Sequence, residues 1–210
     1  MPIQNYILTL LGAYLLGSIP TGFLAAKAKG IDIRSVGSGN IGATNAMRVL
    51  GKPIGIAVLL LDAAKGYLAV WLCAVIASHA NIVPADASVL KILAGIGAVL
   101  GHNYTCWLRF KGGKGIATTA GVYVALAPWP LLIALGVFII LLALTRYVSV
   151  GSIAAAVTLP VAVWLMTPQD VFLGTVTTAL GGMAIYKHQA NIRRLLAGTE
   201  NRLGRKVVAK

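Results

Sequence analysis

Long apolar segments follow one another along almost the whole chain, and no other feature constrains its fold so strongly. A helix that crosses the hydrocarbon core of a bilayer needs about 20 predominantly apolar residues. Seven stretches have this character, of which the fourth is short: residues 3–25, 53–77, 89–108, 115–128, 130–146, 149–166 and 170–187. The sequence therefore predicts an all-α, polytopic membrane protein with seven transmembrane helices, which form one integral membrane domain over residues 1–210.

The composition agrees with this prediction, because charged residues are too few to cover a water-exposed surface. Hydrophobic residues make up 58% of the chain and charged residues only 11%, whereas an ordinary soluble domain carries about 25% charged residues. A soluble enzyme, a disordered chain and a DNA-binding domain are therefore excluded.

Residues 115–145 fit either two short spans or one long helix that is broken near Pro128. Basic residues precede this stretch at 109–114, and Arg146 follows it. Two spans keep all of these charges on one side of the membrane, whereas one span separates them. Pro128 and Pro130 also suit a tight turn better than a helix interior, so we expect two spans.

Lysine and arginine are distributed unevenly over the loops, and this predicts the orientation. The chain has 18 Lys and Arg residues against five acidic residues, a net charge of +13. Cytoplasmic loops of membrane proteins carry the excess of basic residues. One side (loop 78–88, the proline turn and residues 167–169) holds none of them, while the other carries residues 26–52, 109–114, Arg146 and the tail from Lys187. We therefore expect a cytoplasmic C-terminus, and an N-terminus outside on a retained first helix.

Small and hydrogen-bonding residues fill the first cytoplasmic segment, residues 26–52, between Ser35 and Arg48. Exposed backbone N–H groups, hydroxyls and a guanidinium in such a loop can bind an oxyanion. The candidate residues are Ser38, Asn40, Thr44, Asn45 and Arg48. The alternative is a flexible Gly/Ser linker, although linkers do not usually mix Asn, Thr and Arg so densely with glycine.

The second segment, residues 101–119, contains Lys111-Gly112-Gly113-Lys114-Gly115 immediately before a predicted helix. Consecutive glycines let the backbone wrap an anion, and a helix N-terminus adds a favourable dipole. The two lysines add full positive charges, so this segment is a candidate phosphate site. Its spacing differs from that of a nucleotide-binding P-loop. Lysines that merely mark the cytoplasmic side are the alternative.

The third segment, residues 186–201, contains His188, Asn191 and Glu200. If the seventh helix continues past residue 187, His188 and Asn191 lie three apart on one face. Glu200 follows the helix end that Gly198 marks, so we expect it to anchor the loop in a structural role. A surface histidine at a membrane edge is the alternative for His188.

Asp62 and Lys65 lie inside the second predicted span, also three residues apart. Ionisable residues within a membrane are costly, and they are usually paired and functional. We expect these two residues to form an ion pair, which serves either the fold or the substrate.

Four motifs together resemble those of one known family: Gly17–Pro20, Gly37–Asn45, Phe110–Gly115 and His188–Glu200. Nearly the whole chain resembles the membrane-bound bacterial acyl-phosphate:glycerol-3-phosphate acyltransferases (PlsY family). The resemblance implies a seven-helix protein of the bacterial cytoplasmic (inner) membrane with its active site at the cytoplasmic face. It also implies transfer of a fatty acyl group from acyl phosphate to the 1-position of glycerol 3-phosphate. The products are lysophosphatidic acid and phosphate, in the first step of phospholipid synthesis.

The resemblance also implies roles for individual residues. Those expected to be catalytic are Ser38, Arg48, His188 and Asn191, and those expected to bind the substrate phosphate are Lys111, Gly112, Gly113, Lys114 and Gly115. We add as supporting residues Asn40, Thr44, Asn45, Asp62, Lys65 and Glu200. The expected partners are glycerol 3-phosphate, fatty acyl phosphate, membrane lipid and, upstream, the enzyme that forms acyl phosphate. No cofactor, metal ion or nucleic acid is expected.

Acyl phosphate is a mixed anhydride whose phosphate is already a good leaving group, so no covalent enzyme intermediate is needed. The carbonyl oxygen gains negative charge in the tetrahedral state, and Ser38, Asn45 or backbone amides can stabilise it. The proton of the attacking hydroxyl goes either to His188 or to a substrate phosphate, and the family resemblance implies the phosphate.

A transporter of phosphorylated small anions is the main alternative, because basic residues and intramembrane charges also suit transport. Transporters hold their polar residues near the midplane, whereas here they crowd one predicted face and only Asp62 and Lys65 lie deep. A non-catalytic lipid-binding subunit is a third reading, but it would not require all three motifs together.

The predicted orientation has a direct test in cysteine labelling. Single cysteines introduced by Ser35→Cys and Gln189→Cys, in a chain whose Cys73 and Cys106 are replaced by serine, should react with an impermeant maleimide only from the cytoplasmic side. Both positions lie in basic segments, which the positive-inside rule assigns to the cytoplasm. Labelling of either cysteine in intact cells would contradict the orientation.

Overall fold

The computed structural model describes residues 1–204, and every regular element within them is a helix. The α-helices are α1 (Ile3–Gly17), α2 (Thr21–Lys27), α3 (Ala43–Leu50), α4 (Lys52–His79), α5 (Pro84–Asn103), α6 (Ile116–Leu126), α7 (Pro128–Thr145), α8 (Val148–Met166), α9 (Val171–Lys187) and α10 (Gln189–Leu196). A 3₁₀ turn, Cys106–Leu108, lies between α5 and α6. The chain divides into two compact units, Met1–Leu126 and a second that begins at Ala127. The all-α prediction is confirmed for the described residues, while a single domain over residues 1–210 stays a prediction.

Five of the seven predicted spans are matched by helical segments that are long and apolar enough to cross a membrane: Ile3–Lys27, Lys52–His79, Pro84–Leu108, Pro128–Thr145 and Val148–Met166. The first of these joins α1 and α2, and the third joins α5 and the 3₁₀ turn. The other two predicted spans are helical but shorter, since α6 has 11 residues and α9 has 17. Seven crossings therefore stay a prediction. The predicted break within residues 115–145 is present, because α6 ends at Leu126 and α7 begins at Pro128.

The first predicted span, residues 3–25, is interrupted rather than continuous. Helix α1 ends at Gly17 and α2 begins at Thr21, with residues 18–20 between them. Proline has no N–H to donate, and it biases the preceding residue away from the helical conformation. Pro20 therefore ends the first helix in the middle of an apolar segment, which the apolar pattern alone did not predict.

The interruption frees backbone carbonyl groups, and residues from elsewhere in the first unit bond them. The Thr105 hydroxyl donates to the Ser18 carbonyl at 2.6 Å, and the Lys65 ammonium donates to the Ile19 carbonyl at 2.8 Å. A polar group buried without a partner costs roughly 2–7 kcal/mol, depending on the reference state. These two contacts therefore make the interruption tolerable.

The predicted ion pair between Asp62 and Lys65 is present, and it is joined to this interruption. The Lys65 ammonium lies 2.9 Å from the Asp62 carboxylate, and both residues are buried, at 2% exposure for Asp62 and 5% for Lys65. The Thr21 hydroxyl, in the first turn of α2, donates to the same carboxylate at 2.7 Å. Asp62 thus connects α4 to the start of α2 beyond the interruption.

Glycines let helices of the first unit approach closely. A Cβ added at Gly97 or Gly101 of α5 would meet backbone atoms of α1, and small residues four apart allow such close packing of helices in membranes. Gly55 packs in the same way against the backbone of Met47 in α3. Gly51, four residues before Gly55, lies outside the helices at φ +94°, so it serves a turn and not a helix crossing.

A hydrophobic cluster joins the first two motif segments. Its buried members are Ala26, Ile33, Ile41, Ala46, Val58 and Leu108. Ile33 and Ile41 flank the glycine-rich loop of the first segment, and Leu108 precedes Lys111 of the second. Both segments are therefore fixed to the same end of the first unit.

The second unit is a sequence of packed helices in which α8 contacts both α7 and α9. Close approach again occurs at glycines, since Gly151 lies against Phe138 of α7 and Gly181 against Ala156 and Pro160 of α8. Helix α10 follows α9 directly and carries the third motif segment.

Two glycines of α1 provide a matched test of this packing. Gly17→Ala should lower Tm, because a Cβ there would collide with the Ala98 backbone of α5, and overpacking costs about 1–3 kcal/mol. Gly12→Ala should leave Tm unchanged or raise it, because a Cβ at Gly12 meets nothing within 4 Å. Thermal unfolding of both variants in detergent measures the difference, and equal Tm values would contradict the close α1–α5 approach.

Candidate active site

The glycine-rich loop of the first segment is folded around one buried amide, that of Asn45. Asn45 is 1% exposed, and its Oδ1 accepts the Ser38 N–H at 2.8 Å. Its Nδ2 donates to the carbonyls of Val36 at 3.1 Å and Asn40 at 2.9 Å. The segment is therefore an ordered loop followed by α3, and not the flexible linker considered as an alternative.

Several polar groups of this loop that were candidates for binding an oxyanion are bonded to other groups of the loop. Its backbone N–H groups were expected to be exposed, but Gly39 donates to the Val36 carbonyl at 3.0 Å and Gly42 donates to the Asn40 side chain at 2.9 Å. Asn45 was a candidate donor to a substrate oxyanion, but its amide hydrogens are bound to loop carbonyls. A tight loop bonds many of its own polar groups, and the N–H groups of Ser38, Gly39 and Gly42 are used in this way.

Ser38 and Arg48 are the two residues of the first segment that were expected to be catalytic. Ser38 is half-buried in the loop, and Arg48 is half-buried in the last turn of α3. Thr44 lies in the first turn of the same helix. Asn40, in contrast, has a structural contact through its hydrogen bond from Gly42.

The Lys111-Gly-Gly-Lys114 loop is docked on the C-terminal end of α5. Gly112 donates its N–H to the Asn103 carbonyl at 3.2 Å, and Gly113 donates to the His102 carbonyl at 3.0 Å. The last carbonyls of a helix lack intrahelical donors, and these glycines supply them. Both glycine amides therefore have acceptors at the end of α5, and their part in phosphate binding stays a prediction.

No larger residue than glycine fits at Gly112 or Gly113 of this loop. A Cβ at Gly112 would meet the backbone of His102 and Asn103, and a Cβ at Gly113 would meet the His102 ring. Helix α6 begins at Ile116, after the loop and not within it. The loop therefore presents its two lysines from a rigid base, with Lys111 exposed and Lys114 half-buried.

The third segment contains a break between two helices, so α9 does not continue through His188. Helix α9 ends at Lys187, and the His188 carbonyl accepts the Asn191 N–H at 2.8 Å as α10 begins. Both His188 and Asn191 are buried, at 3% and 7% exposure. His188 Nδ1 lies 2.7 Å from the Ala184 carbonyl. Because a carbonyl can only accept, Nδ1 carries the proton and Nε2 is the acceptor in the neutral ring.

Glu200 holds this segment together. Its Oε1 accepts from Asn191 Nδ2 at 2.7 Å and from the Ser149 hydroxyl at 3.1 Å, and its Oε2 accepts from Arg194 Nε at 2.7 Å. Burial raises the pKa of Glu200, but these hydrogen bonds and the Arg194 charge outweigh it and hold the pKa below its usual value. The geometry is that of a loop anchor.

The structure brings the first two segments together in the first unit and places the third in the second unit. Several polar residues that organise the segments were not predicted from the sequence: Thr21, His102, Thr105 and Ser149. Pro20 was an available signal for Thr105 alone, because a proline inside an apolar helix predicts unbonded carbonyls and therefore buried donors nearby.

Known proteins resemble this chain over most of its length. The family model described as glycerol-3-phosphate acyltransferase matches residues 7–198. A glycerol-3-phosphate acyltransferase from Geotalea daltonii is 46% identical over 199 residues, which are 95% of this chain and 98% of the relative. Two solved structures of PlsY, an integral membrane glycerol 3-phosphate acyltransferase, are also similar. The glycerol 3-phosphate form has a TM-score of 0.85, 40% identity and coverage of 95% of this chain and 96% of that chain. The lysophosphatidic acid form has a TM-score of 0.82, 39% identity and 95% coverage of both chains.

Glu200→Gln should destabilise the protein at neutral pH by roughly 1.5–3 kcal/mol, the range for hydrogen bonds to charged groups. The pKa of Glu200 is lower in the folded state than in the unfolded state. Its carboxylate therefore stabilises the folded state fully above the unfolded pKa of about 4.3. This stabilisation is lost as the pH falls through the folded pKa. The Tm difference from the parent should therefore shrink on acidification. Asp32→Asn, at an exposed ion pair, is the control with little effect at neutral pH. A Tm difference that is unchanged down to pH 3 would contradict the anchor.

Proposed function

Because the chain belongs to the glycerol-3-phosphate acyltransferase family, we propose that it moves a fatty acyl group from acyl phosphate to the 1-position of glycerol 3-phosphate. The products are lysophosphatidic acid and phosphate, and this is the first step of phospholipid synthesis. The observation that carries the proposal is the 40% identity, over 95% of this chain, to an integral membrane acyltransferase solved in its glycerol 3-phosphate form. Transport of phosphorylated anions, the alternative that the charge pattern allowed, has no support among these relatives.

The phosphate of glycerol 3-phosphate binds the loop of residues 111–115, mainly through Lys111 and Lys114. Gly112 and Gly113 support this site structurally, because their N–H groups already bond the end of α5. The first turn of α6 begins at Ile116, and helix N-termini favour anions. A half-buried Lys114 binds phosphate more strongly than an exposed lysine would, because water screens it less.

The reaction joins two anionic substrates. The first segment supplies the groups that stabilise the charge on the acyl carbonyl oxygen and on the departing phosphate. The 1-hydroxyl attacks the acyl carbonyl, an ester C–O bond forms, and the C–O bond to phosphate breaks. Ser38 donates to the carbonyl oxygen as it gains charge, and Arg48 neutralises the departing phosphate. Asn45, Asn40 and Thr44 support this loop.

The proton of the attacking hydroxyl goes to a substrate phosphate, and His188 and Asn191 orient the reacting groups. Phosphate monoesters have a second pKa of about 6 and can accept a proton near neutrality. His188 is held by its Nδ1 contact with Ala184, and Asn191 by Glu200. Both side chains are therefore fixed before substrate arrives.

The protein lies in the bacterial inner membrane with seven crossings, its N-terminus outside and its active site at the cytoplasmic face. The basic segments support this orientation through the positive-inside rule. Acyl phosphate comes from an upstream enzyme, and its chain enters from the lipid.

A donor assay tests the function. Purified protein in detergent receives glycerol 3-phosphate with acyl phosphate, acyl-CoA or acyl carrier protein, and lysophosphatidic acid and phosphate are measured. Only acyl phosphate should support turnover with release of phosphate. Product from acyl-CoA alone would contradict the proposed donor, and no product from any donor would contradict the function.

Lys114→Ala should lower kcat/KM for glycerol 3-phosphate by about 10–150-fold, because a charge-assisted contact is worth roughly 1.5–3 kcal/mol. Lys29→Ala removes an exposed positive charge from the first cytoplasmic segment and is the matched control with little effect. Steady-state kinetics with both variants measure this difference. Equal kcat/KM values in Lys114→Ala and Lys29→Ala would remove Lys114 from the phosphate site.

His188→Gln should retain substantial activity if a substrate phosphate accepts the proton. Glutamine can still hydrogen-bond, whereas loss of a general base costs about 10²–10⁴-fold. The pH dependence of kcat should keep its acidic limb in this variant. A collapse of activity that removes this limb, in folded protein that still binds glycerol 3-phosphate, would make His188 the base.

A further inference from the structure

We propose that Asp62 is a positioning residue for the Lys111–Gly115 loop and that it acts on this loop through His102. The proposal rests on the function proposed above for that loop. It gives a role to a buried ion pair that the reaction itself does not use, and it connects the interior of the first unit to the phosphate site.

The Asp62 carboxylate is the meeting point of three side chains from three helices. Its Oδ1 lies 2.7 Å from the Thr21 hydroxyl of α2, 2.9 Å from the Lys65 ammonium of α4 and 3.4 Å from Nδ1 of His102 of α5. His102 is 5% exposed, and within residues 1–204 its Nδ1 has no hydrogen-bond partner. The carboxylate therefore lies against this edge of the ring at 3.4 Å, without an aligned hydrogen bond.

The opposite edge of the His102 ring faces the loop. A Cβ added at Gly113 would collide with Nε2 of His102, so the ring packs directly against the backbone of Gly113. The His102 carbonyl also accepts the Gly113 N–H at 3.0 Å. The same residue thus contacts the loop with its ring and with its backbone, and Gly113 immediately precedes Lys114.

Asn103 extends this contact along the loop. Its carbonyl accepts the Gly112 N–H at 3.2 Å, and its side chain fills the space beside Gly115. Residues 102 and 103 therefore contact all three glycines of the loop, Gly112 and Gly113 before Lys114 and Gly115 after it. A movement of the His102 ring, once the carboxylate is removed, shifts the backbone that aims the lysine.

The competing explanation is that Asp62 and Lys65 only stabilise the interruption between α1 and α2. A variant without either charge separates the two explanations. Asp62→Asn/Lys65→Gln leaves no unpaired buried charge and keeps hydrogen-bonding groups at both positions. If the pair serves stability alone, this variant behaves like the parent at the phosphate site.

The kinetic test compares KM for the two substrates. In Asp62→Asn/Lys65→Gln, KM for glycerol 3-phosphate should rise by roughly 10-fold, the lower end for loss of a charged contact, while KM for acyl phosphate stays unchanged. Tyr14→Phe is the matched control, because it removes a 2.7 Å hydrogen bond to the Tyr104 carbonyl at the same end of α5 without touching His102. Equal KM values for glycerol 3-phosphate in the double variant and in Tyr14→Phe would overturn the proposal.

A double-mutant cycle tests whether His102 is the intermediary. In a His102→Gln background, the same two substitutions should raise KM for glycerol 3-phosphate by much less than they do in the parent, because both act along one path. Effects that multiply independently would overturn the role of His102.

A spin label separates failure of this proposal from failure of the proposed function. Phe110 precedes the loop and is 62% exposed, so a spin label can be attached to Phe110→Cys in a chain without Cys73 and Cys106. The mobility of this label can be measured whether or not the enzyme is active. The label should move more freely in Asp62→Asn/Lys65→Gln than in the parent or in Tyr14→Phe. Identical spectra would overturn the proposal even if the enzyme uses glycerol 3-phosphate, whereas a clear difference would support it even if the donor assay fails.

Discussion

A helix that is interrupted inside an apolar segment must find donors for its own carbonyl groups, and the first unit is organised around that need. Pro20 ends α1, and the carbonyls of Ser18 and Ile19 are bonded by Thr105 and Lys65. The core of a membrane contains no water that could donate hydrogen bonds to these carbonyls. The lysine in turn needs the buried Asp62 carboxylate, which costs much free energy to bury without a partner. One proline therefore ties α1, α2 and α4 to the turn that follows α5.

Each motif segment is stabilised by buried polar groups that, in our proposal, do not contact the substrate. Asn45 bonds the glycine-rich loop, the carbonyls at the end of α5 hold Gly112 and Gly113, and Glu200 holds the third segment. Such groups fix the reactive side chains in advance, so less side-chain entropy is lost when two anionic substrates bind. The same devices explain why glycines and amides outnumber charged residues in these motifs.

The five acidic residues have structural partners, which leaves the basic excess for anions. Besides the pairs of Asp62 and Glu200, Asp86 accepts from Tyr6 at 2.9 Å, and Asp170 caps α9. Asp32 pairs with Arg34 at 2.7 Å, and the hydrogen bonds from this guanidinium lower the pKa of Asp32 to about 2. In a chain with a net charge of +13, the acidic residues are thus paired within the protein and are not left to oppose bound phosphate.

The sequence by itself determined the apolar helices, the family resemblance, the basic motif segments and the Asp62–Lys65 pair, because hydropathy, charge and i,i+3 spacing are local properties of the chain. It did not determine which backbone amides are occupied: the amides of Ser38, Gly112 and Gly113 looked available until Asn45 and the end of α5 were placed beside them. It also did not place His102 between Asp62 and Gly113, since these three residues are far apart in sequence. Only tertiary packing decides such contacts, because a buried donor takes the nearest acceptor in space and not along the chain.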